Sequence, residues 1–234
     1  MKGKAKFALV CCLILMINSL KVLADVKHRT DEKEKKIILI DPGHGGIDGG
    51  AKSKSGIIEK DINLSISKKL KEALIKEGYI VYMTREDDIG LYDKGKTLKE
   101  KKVQDLSKRV KMKEDTKCHI FISIHQNMFP QTKCHGAQVW HAAGEESKLL
   151  ADIIQGSLRE NVDNENKRLT KPAGDQYRIL REGSPCASVL VECGFLSNQN
   201  EGNMLKDEQY QQKIAEAITK GVVEYCKQKK AGEN

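Results

Sequence analysis

The sequence predicts a single α/β domain in which helices flank a central, mostly parallel, twisted β-sheet. Short apolar runs typical of buried strands alternate with longer amphipathic segments typical of helices, and this order favours parallel strands. The length of 234 residues suits one domain, and 39% hydrophobic residues with only 4 prolines indicate a well-formed core. The sequence contains no internal repeat and no linker that would separate a second domain.

The first half of the domain is predicted to hold three strands and two helices. KIILID is a short apolar run that ends at a Pro-Gly turn, and a glycine-rich loop follows it to about Gly56. The first helix has Ile62, Ile66 and Leu70 on one face and stops at Gly78. HIFISIH alternates between faces, as a strand does. The predicted strands span residues 36–41, 79–84 and 119–125, and the predicted helices span residues 59–77 and 98–115.

The second half continues the alternation of strands and helices. GAQVWH, YRIL and SVLVE are short runs that predict strands, and two longer segments repeat apolar residues at helical spacing. The predicted strands span residues 136–141, 177–180 and 188–192. The predicted helices span residues 146–161 and 207–227.

The first 24 residues form an export pattern. Three lysines precede an uncharged run over residues 7–20, and a Val-Leu-Ala sequence ends at Ala24. This arrangement is typical of a secretory signal peptide. The run is shorter than the roughly 20 residues of a membrane-spanning helix, and an uncleaved N-terminal anchor is the alternative. We therefore expect an exported, extracytoplasmic protein, with a charged linker over residues 25–35, the folded domain over 36–228 and a flexible tail over 229–234.

The formal net charge of +8 has two sources. The export segment holds four lysines and no acid, so its removal halves the charge to +4. Residues 93–117 hold ten Lys or Arg against five Asp or Glu, which accounts for the whole remaining excess. Val103, Leu106 and Val110 recur there at helical spacing without interleaved aromatics, which predicts a solvated amphipathic helix. We expect no nucleic-acid partner.

Five cysteines follow the export segment: Cys118, Cys134, Cys186, Cys193 and Cys226. An odd number leaves at least one thiol unpaired within the chain, and no CxxC pair indicates a structural zinc site. We interpret most of them as small buried residues, with a Cys118–Cys134 disulfide as the alternative.

Metal-binding and acidic residues follow three of the predicted strands. His44 follows the first strand within DPGHGG, His125 ends HIFISIH, and Glu192 ends SVLVE. The carboxyl ends of parallel strands meet at one edge of a sheet, where ligand sites form. Glu59 begins the first helix, and the loop before it can return its carboxylate towards His44. DPGHGG lacks the Lys-Ser or Lys-Thr of a phosphate-binding loop.

Two histidines and one carboxylate are typical of hydrolytic zinc sites, because they leave one coordination position open. A further carboxylate that is not a ligand, here Glu192, suits a general base that later protonates the departing nitrogen. His135 and His141 are alternative ligands, whereas His119 is expected to be structural.

Four separated motifs occur in order: IILIDPGHGGIDGGA, GIIEKDINLSISKKLKEALIKEGYIVYMTR, ISIHQN and VLVECGFLSNQNE. They resemble the zinc-dependent N-acetylmuramoyl-L-alanine amidases of bacterial cell-wall metabolism, the amidase-3 family, over residues 36–226. The resemblance assigns Zn²⁺ ligands to His44, Glu59 and His125 and the catalytic role to Glu192. It implies that the substrate is peptidoglycan, cleaved between the lactoyl group of muramic acid and L-alanine of the stem peptide.

Two departures from the family pattern narrow the expectation. Larger division amidases of the family have an insertion after this histidine that carries a helix blocking the active site. Here only ten residues separate His125 from the strand at Gly136, which leaves no room for such a helix, and the chain has no wall-binding repeats. The chain is therefore similar to the sporulation amidases of the family, which strip stem peptides in spore cortex so that muramic-δ-lactam forms before germination. We expect an accessory protein that activates or stabilises the zinc-bound state. The alternatives are a zinc peptidase that cuts elsewhere in the stem and a non-catalytic wall-binding protein.

Overall fold

Six strands form one sheet in the computed structural model, which describes residues 35–232. The predicted signal peptide or anchor, and the linker up to residue 34, lie outside the described residues. The strands are β1 (Ile37–Pro42), β2 (Ile80–Met83), β3 (Ile120–Asn127), β4 (Gln138–His141), β5 (Lys171–Pro172) and β6 (Ala187–Phe195). The helices are α1 (Glu59–Lys76), α2 (Leu98–Thr116), α3 (Glu145–Asn161), α4 (Arg178–Arg181), α5 (Gln199–Lys206) and α6 (Glu208–Gly232).

The sheet has the order β2-β1-β3-β6-β4-β5 and is mostly parallel, as the alternation of elements predicts. Pairs β1–β2, β1–β3, β3–β6 and β4–β5 are parallel, and β4 runs antiparallel to β6. Asp41 pairs with Ser123, and His125 pairs with Glu192. The carboxyl ends of β1, β3 and β6 therefore meet at one edge, where the motif residues lie.

Alternate side chains of the central strands enter two cores, as the period of two in a strand requires. Helices α1, α3 and α6 cover the larger core, which includes Ile38, Ile122 and Val189. Helices α2 and α4 lie on the other face, against the smaller core that contains Phe121 and Leu190. Helices thus flank the sheet on both sides.

The basic helix α2 is amphipathic, but its buried face differs from the predicted one. Leu106 and Val110 pack against the smaller core, whereas Val103 is 50% exposed. Arg109 and Lys113 are each only 2% exposed, so two cations of this helix are internal. The prediction of a solvated charged face therefore fails at these two positions.

The predicted strand over residues 177–180 is wrong, because Tyr177 caps the short helix α4, which begins at Arg178. Leu180 N–H donates to Tyr177 O, and the carbonyl of Ile179 accepts from the ammonium of Lys113. The neighbouring position beside β6 is taken by β4, so these backbone groups bond locally and to Lys113 instead of to a strand.

The C-terminal region holds two helices where one is predicted. The side chain of Asn198 caps α5 by accepting from the N–H groups of Asn200 and Glu201. Helix α6 then continues to Gly232, so residues 229–232 of the predicted tail are helical. No helix in the described part of the chain is long and apolar enough to cross a membrane.

Candidate metal centre and active site

His44 lies in the loop after β1 and has its side chain fixed from two sides. Its backbone φ of 63° is in the left-handed region, which lets the loop reverse directly beyond the strand. Nδ1 of His44 donates to Oδ2 of Asp48 across 3.0 Å, and Nε2 lies 3.3 Å from Oε1 of Glu59. Asp48 also pairs with Lys102 at 2.9 Å. A carboxylate on one ring nitrogen orients the other nitrogen towards a metal, as in many metal centres.

Glu59 is the first residue of α1 and is only 3% exposed. Its Oε2 accepts from the N–H of Ala51 at 2.8 Å, and its Oε1 accepts from the N–H of Gln126 at 3.1 Å. Burial alone raises the pKa of this carboxyl, but the hydrogen bonds and charges of His125 and His44 lower it well below its usual range. Glu59 is therefore held as a carboxylate.

His125 lies near the carboxyl end of β3 and completes the cluster. Its Nδ1 donates to Oε1 of Glu59 across 3.0 Å, and its ring centroid lies 5.0 Å from that of His44. Two glycines make room: a Cβ at Gly43 would lie 2.3 Å from the His125 ring, and one at Gly50 would lie 2.6 Å from Oε2 of Glu59. The glycine-rich loop therefore closes onto the cluster only because these side chains are absent.

The donor set of the cluster fits zinc. Each of the three residues offers one ligand atom, and these atoms lie within 4.8 Å of one another. Two imidazoles and one carboxylate are typical zinc ligands and leave a position open. Burial alone lowers the pKa of His44, yet hydrogen bonds to Asp48 and Glu59 raise it to about 9, so the site favours positive charge. A bound metal cation would supply this positive charge in place of the proton on His44.

Glu192 lies on β6 directly beside the cluster, paired in register with His125. It is 7% exposed; its Oε1 accepts from the hydroxyl of Tyr177 at 3.4 Å, and its buried Oε2 has no hydrogen-bond partner among the described residues. Burial, opposed by the charge of His125, raises the pKa of Glu192 to about 7. The carboxyl is thus poised to exchange a proton near neutrality.

A buried ion pair lies beneath the loop of residues 43–58, here termed the metal loop, and is not predicted from the sequence. Asp41, at 0% exposure, pairs with the guanidinium of Arg109 and accepts from the hydroxyls of Thr84 and Ser123, each at 2.7 Å. Burial alone raises the pKa of Asp41, but Arg109 and the two hydroxyls lower it below its usual range. This network fixes the end of β1, from which His44 projects.

Two arginines donate hydrogen bonds to backbone carbonyls at the end of β1 and the start of the metal loop. Arg109 donates to Pro42 O at 2.8 Å and to His44 O at 2.7 Å. Arg85 donates to Pro42 O and Gly43 O, both at 3.0 Å. The only sequence signal for Arg85 is its position just after the second predicted strand, and Arg109 is hidden among the other cations of α2.

A cleft of about 250 Å³ opens beside the two histidines. One wall is the metal loop, and the other is the N-terminal half of α2. Its lining includes the exposed apolar side chains of Ile47 and Leu98 together with Tyr92 and Lys101. The Lys101 ammonium lies 5.3 Å from the centre of the Tyr92 ring. The cleft therefore offers apolar surface and positive charge next to the metal ligands.

The other three histidines of residues 35–232 lie apart from the metal cluster. His119 Nδ1 accepts from the N–H of Ile37 at 3.1 Å, which agrees with its expected structural role. Nδ1 of His141 donates to Ala142 O, and His135 lines a separate surface groove, so neither is a ligand in this arrangement. The alternative of a Cys118–Cys134 disulfide is wrong: both thiols are free, and Cys118 lies against Cys186 instead.

A mostly parallel sheet with a cluster of two histidines and one carboxylate beside a buried carboxyl is the arrangement of a hydrolase with a candidate metal site. Comparison with known proteins makes the class specific. Residues 38–224 match the Amidase_3 family, described as N-acetylmuramoyl-L-alanine amidase. The chain belongs to this family and is a cell-wall amidase.

Individual relatives cover nearly the whole described domain. The germination-specific N-acetylmuramoyl-L-alanine amidase of Bacillus subtilis is 38% identical over 196 residues, which span 83% of this chain and 81% of the relative. The structure of the CwlD amidase from Clostridioides difficile in complex with the GerS lipoprotein superposes with a TM-score of 0.79 at 43% identity. It covers 82% of this chain and 99% of that one. An N-acetylmuramoyl-L-alanine amidase from Clostridium difficile 630 gives a TM-score of 0.72 at 32% identity, covering 83% and 98%.

Proposed function

We propose that this protein is a zinc-dependent amidase that hydrolyses the bond between muramic acid and L-alanine of the peptidoglycan stem, acting in spore cortex. The observation that carries the proposal is the cluster of His44, Glu59 and His125 beside the unpartnered Oε2 of Glu192. This combination provides a metal position and a proton carrier at one edge of the sheet.

His44, Glu59 and His125 are the proposed metal ligands. Zinc bound by them supplies a Lewis acid that polarises a carbonyl and lowers the pKa of water to about 7. Asp48 holds the His44 ring through Nδ1, and the N–H groups of Ala51 and Gln126 hold the Glu59 carboxylate. These hydrogen bonds therefore orient the ligand atoms of His44 and Glu59.

Glu192 is the proposed proton carrier. Its free Oε2 accepts the proton of the attacking water and then delivers it to the nitrogen of L-alanine as the amide bond breaks. A pKa of about 7 suits both steps, because the carboxyl accepts and releases a proton at similar cost near neutral pH. Tyr177 holds the other oxygen, and Oε2 has no hydrogen-bond partner among the described residues.

The cleft beside the histidines is the proposed site for the stem peptide. Stem peptides carry carboxylates as well as apolar methyl groups and methylenes, and the cleft presents Lys101 beside Ile47, Leu98 and Tyr92. The ammonium of Lys101 contacts the Tyr92 ring but forms no ion pair within residues 35–232. It is therefore available to a carboxylate of the substrate.

The cortex assignment is supported by the relatives rather than by the site. The Bacillus subtilis relative is described as germination-specific, and the structurally similar CwlD amidase is seen with the GerS lipoprotein. By analogy, we propose an exported enzyme whose product leads to muramic-δ-lactam, and an accessory protein that activates it or stabilises its zinc-bound form.

Digestion of purified peptidoglycan by the zinc-loaded protein tests the reaction. We expect mass spectrometry to detect intact stem peptides that begin at L-alanine, and glycan strands with free lactoyl carboxyls. Shortened stems would instead identify a peptidase, and unchanged peptidoglycan would identify a binding protein. The matched control is Glu192→Gln, which should bind zinc normally and lose at least a hundredfold in turnover.

Two further measurements test the biological part of the proposal. Spores that carry the Glu192→Gln variant as their only copy should contain cortex without muramic-δ-lactam. Zinc content and turnover of the protein alone, compared with the protein plus a candidate accessory protein, should show a gain of both with the partner. Full zinc occupancy and high turnover without any partner would contradict the accessory requirement.

A further inference from the structure

Two cysteine sulfurs lie in contact on the face of the sheet that α2 covers. Cys118 follows α2 and precedes β3, Cys186 precedes β6, and their Sγ atoms are 3.7 Å apart. Just after the two cysteines, Ile120 of β3 pairs with Ala187 of β6. The pairing of these adjacent strands therefore holds the two sulfurs close together. Both thiols are free, and 68 positions separate them in the sequence.

The surroundings make one sulfur reactive and the other protected. Cys118 is 5% exposed and belongs to the smaller core, whereas Cys186 is half-buried and reachable from solvent. The hydrogen bond from Cys118 lowers the pKa of the Cys186 thiol against the opposing effect of burial, and the hydroxyl of Ser188 and the charge of Lys113 add to this lowering. Cys186 is thus the sulfur of the pair that solvent reaches and that ionises more readily.

The remaining cysteines of the described chain lie elsewhere. Cys193 and Cys226 are buried in the larger core on the opposite face of the sheet, and Cys134 lies in the loop between β3 and β4. Among the described residues, Cys118 and Cys186 are the only two cysteines whose sulfurs are in contact, so the arrangement favours a single pairing. Two sulfurs already in contact need little backbone movement to bond.

We propose that Cys118 and Cys186 form an intramolecular disulfide when the protein meets a disulfide oxidant. The thiolate of Cys186 attacks one sulfur of the oxidant, whose other sulfur leaves as a thiolate and takes up the proton that Cys186 released. Cys118 then loses its proton and attacks Cys186 Sγ in the mixed disulfide, which expels the second oxidant thiol. The two thiols lose two electrons, and the oxidant disulfide gains them.

The bond would connect the amino ends of β3 and β6, the adjacent strands that carry His125 and Glu192 at their other ends. A cross-link across so long a chain separation restricts the unfolded chain strongly and stabilises the fold. We therefore expect the oxidised protein to unfold at a temperature higher by about 5 °C or more. This inference goes beyond the proposed amidase function and does not depend on it.

The experiment equilibrates the full chain with oxidised and reduced glutathione, blocks free thiols, and identifies linked peptides by mass spectrometry. The expected result is a dominant Cys118–Cys186 peptide together with the rise in unfolding temperature. Cys134→Ser is the matched control and should behave like the wild type. Cys186→Ser and Cys118→Ala should each lose both the linked peptide and the temperature rise.

Three results would overturn the proposal. The first is a stable glutathione adduct at Cys186 with no link to Cys118. The second is a dominant link to Cys134 or to either of Cys11 and Cys12, and the third is a linked protein with an unchanged unfolding temperature. Because all readouts are made without substrate, they remain valid whatever the digestion of peptidoglycan shows.

Discussion

The hydroxyl of Tyr177 donates a hydrogen bond to Oε1 of Glu192 across 3.4 Å, while Oε2 of the same carboxyl is buried and unpartnered within the described chain. Tyr177 is the residue that precedes α4, and its ring meets that of Trp140 edge-on at 5.4 Å between centroids. The short helix thus positions a tyrosine that fixes one oxygen of the proposed proton carrier and leaves the other available.

Tyr177→Phe is expected to lower kcat about tenfold and leave KM nearly unchanged. The tyrosine hydrogen bond favours the ionised form of Glu192 and lowers its pKa, against the dominant effect of burial. Loss of the hydroxyl therefore raises that pKa, and the acidic limb of the kcat profile should move to higher pH. Profiles of kcat between pH 5 and 9 measure the shift.

The matched control for this variant is Tyr82→Phe, at an exposed position on the edge strand β2. It should leave kcat and both limbs of the profile unchanged. A Tyr177→Phe enzyme with lower kcat but an unshifted acidic limb would show that Tyr177 acts only through packing.

The sequence predicts the metal cluster because its residues follow simple rules of position. His44, His125 and Glu192 end or follow strands that are neighbours in a parallel sheet, and such ends meet. Glu59 begins the helix that returns from the same loop. The structure brings the three proposed ligands within ligand-to-ligand distance, and their role in binding zinc stays a prediction.

The sequence does not reveal the support of that cluster, because it depends on pairings between distant residues. Asp41 and Arg109 are 68 positions apart, and α2 carries many cations of which only Arg109 and Lys113 are buried. Nothing in their local spacing separates these two from their exposed neighbours. The helix α4 is mispredicted for a related reason, since Lys113 binds the carbonyl of Ile179, which the predicted strand would have used, and that of Glu182 beyond it.

Gly43→Ala should damage the metal centre without touching a ligand. The added Cβ would lie 2.3 Å from the His125 ring, closer than atoms approach, so the ring must move away from Glu59. We expect at least a tenfold weaker zinc affinity, measured by competition with a chromogenic chelator. Gly156→Ala, in helix α3 with no heavy atom within 4 Å of the added Cβ, is the control and should bind zinc like the wild type.

Asp41→Asn should destabilise the fold in a pH-dependent way. The variant leaves Arg109 with one carboxylate fewer inside the protein, which should cost about 3 kcal/mol at pH 7. Because the folded pKa of Asp41 is lowered, its contribution is complete above the unfolded pKa of about 4 and is lost as pH falls through the folded value. The difference between variant and wild type should therefore shrink on acidification below pH 4.

Urea unfolding at several pH values measures this difference, with Asp115→Asn as the control. Asp115 forms an exposed pair with Lys111, so its loss should change the free energy of unfolding by less than about 1 kcal/mol. A penalty for Asp41→Asn that stays constant down to pH 3 would contradict a role for its charge.

Lys101→Met should weaken binding of the stem peptide while leaving the chemical step intact. The ammonium of Lys101 lies over the Tyr92 ring beside the metal loop and forms no ion pair with the residues that the structure describes, so a substrate carboxylate can pair with it. Methionine keeps the length and apolar character of the stem but removes the charge. We expect KM to rise about tenfold with kcat nearly unchanged, and the gap to narrow at high salt because ionic strength screens the pair. Lys99→Met, at an exposed position outside the cleft on the same helix, should match the wild type. Equal KM values for the two variants would show that the charge of Lys101 does not bind the substrate.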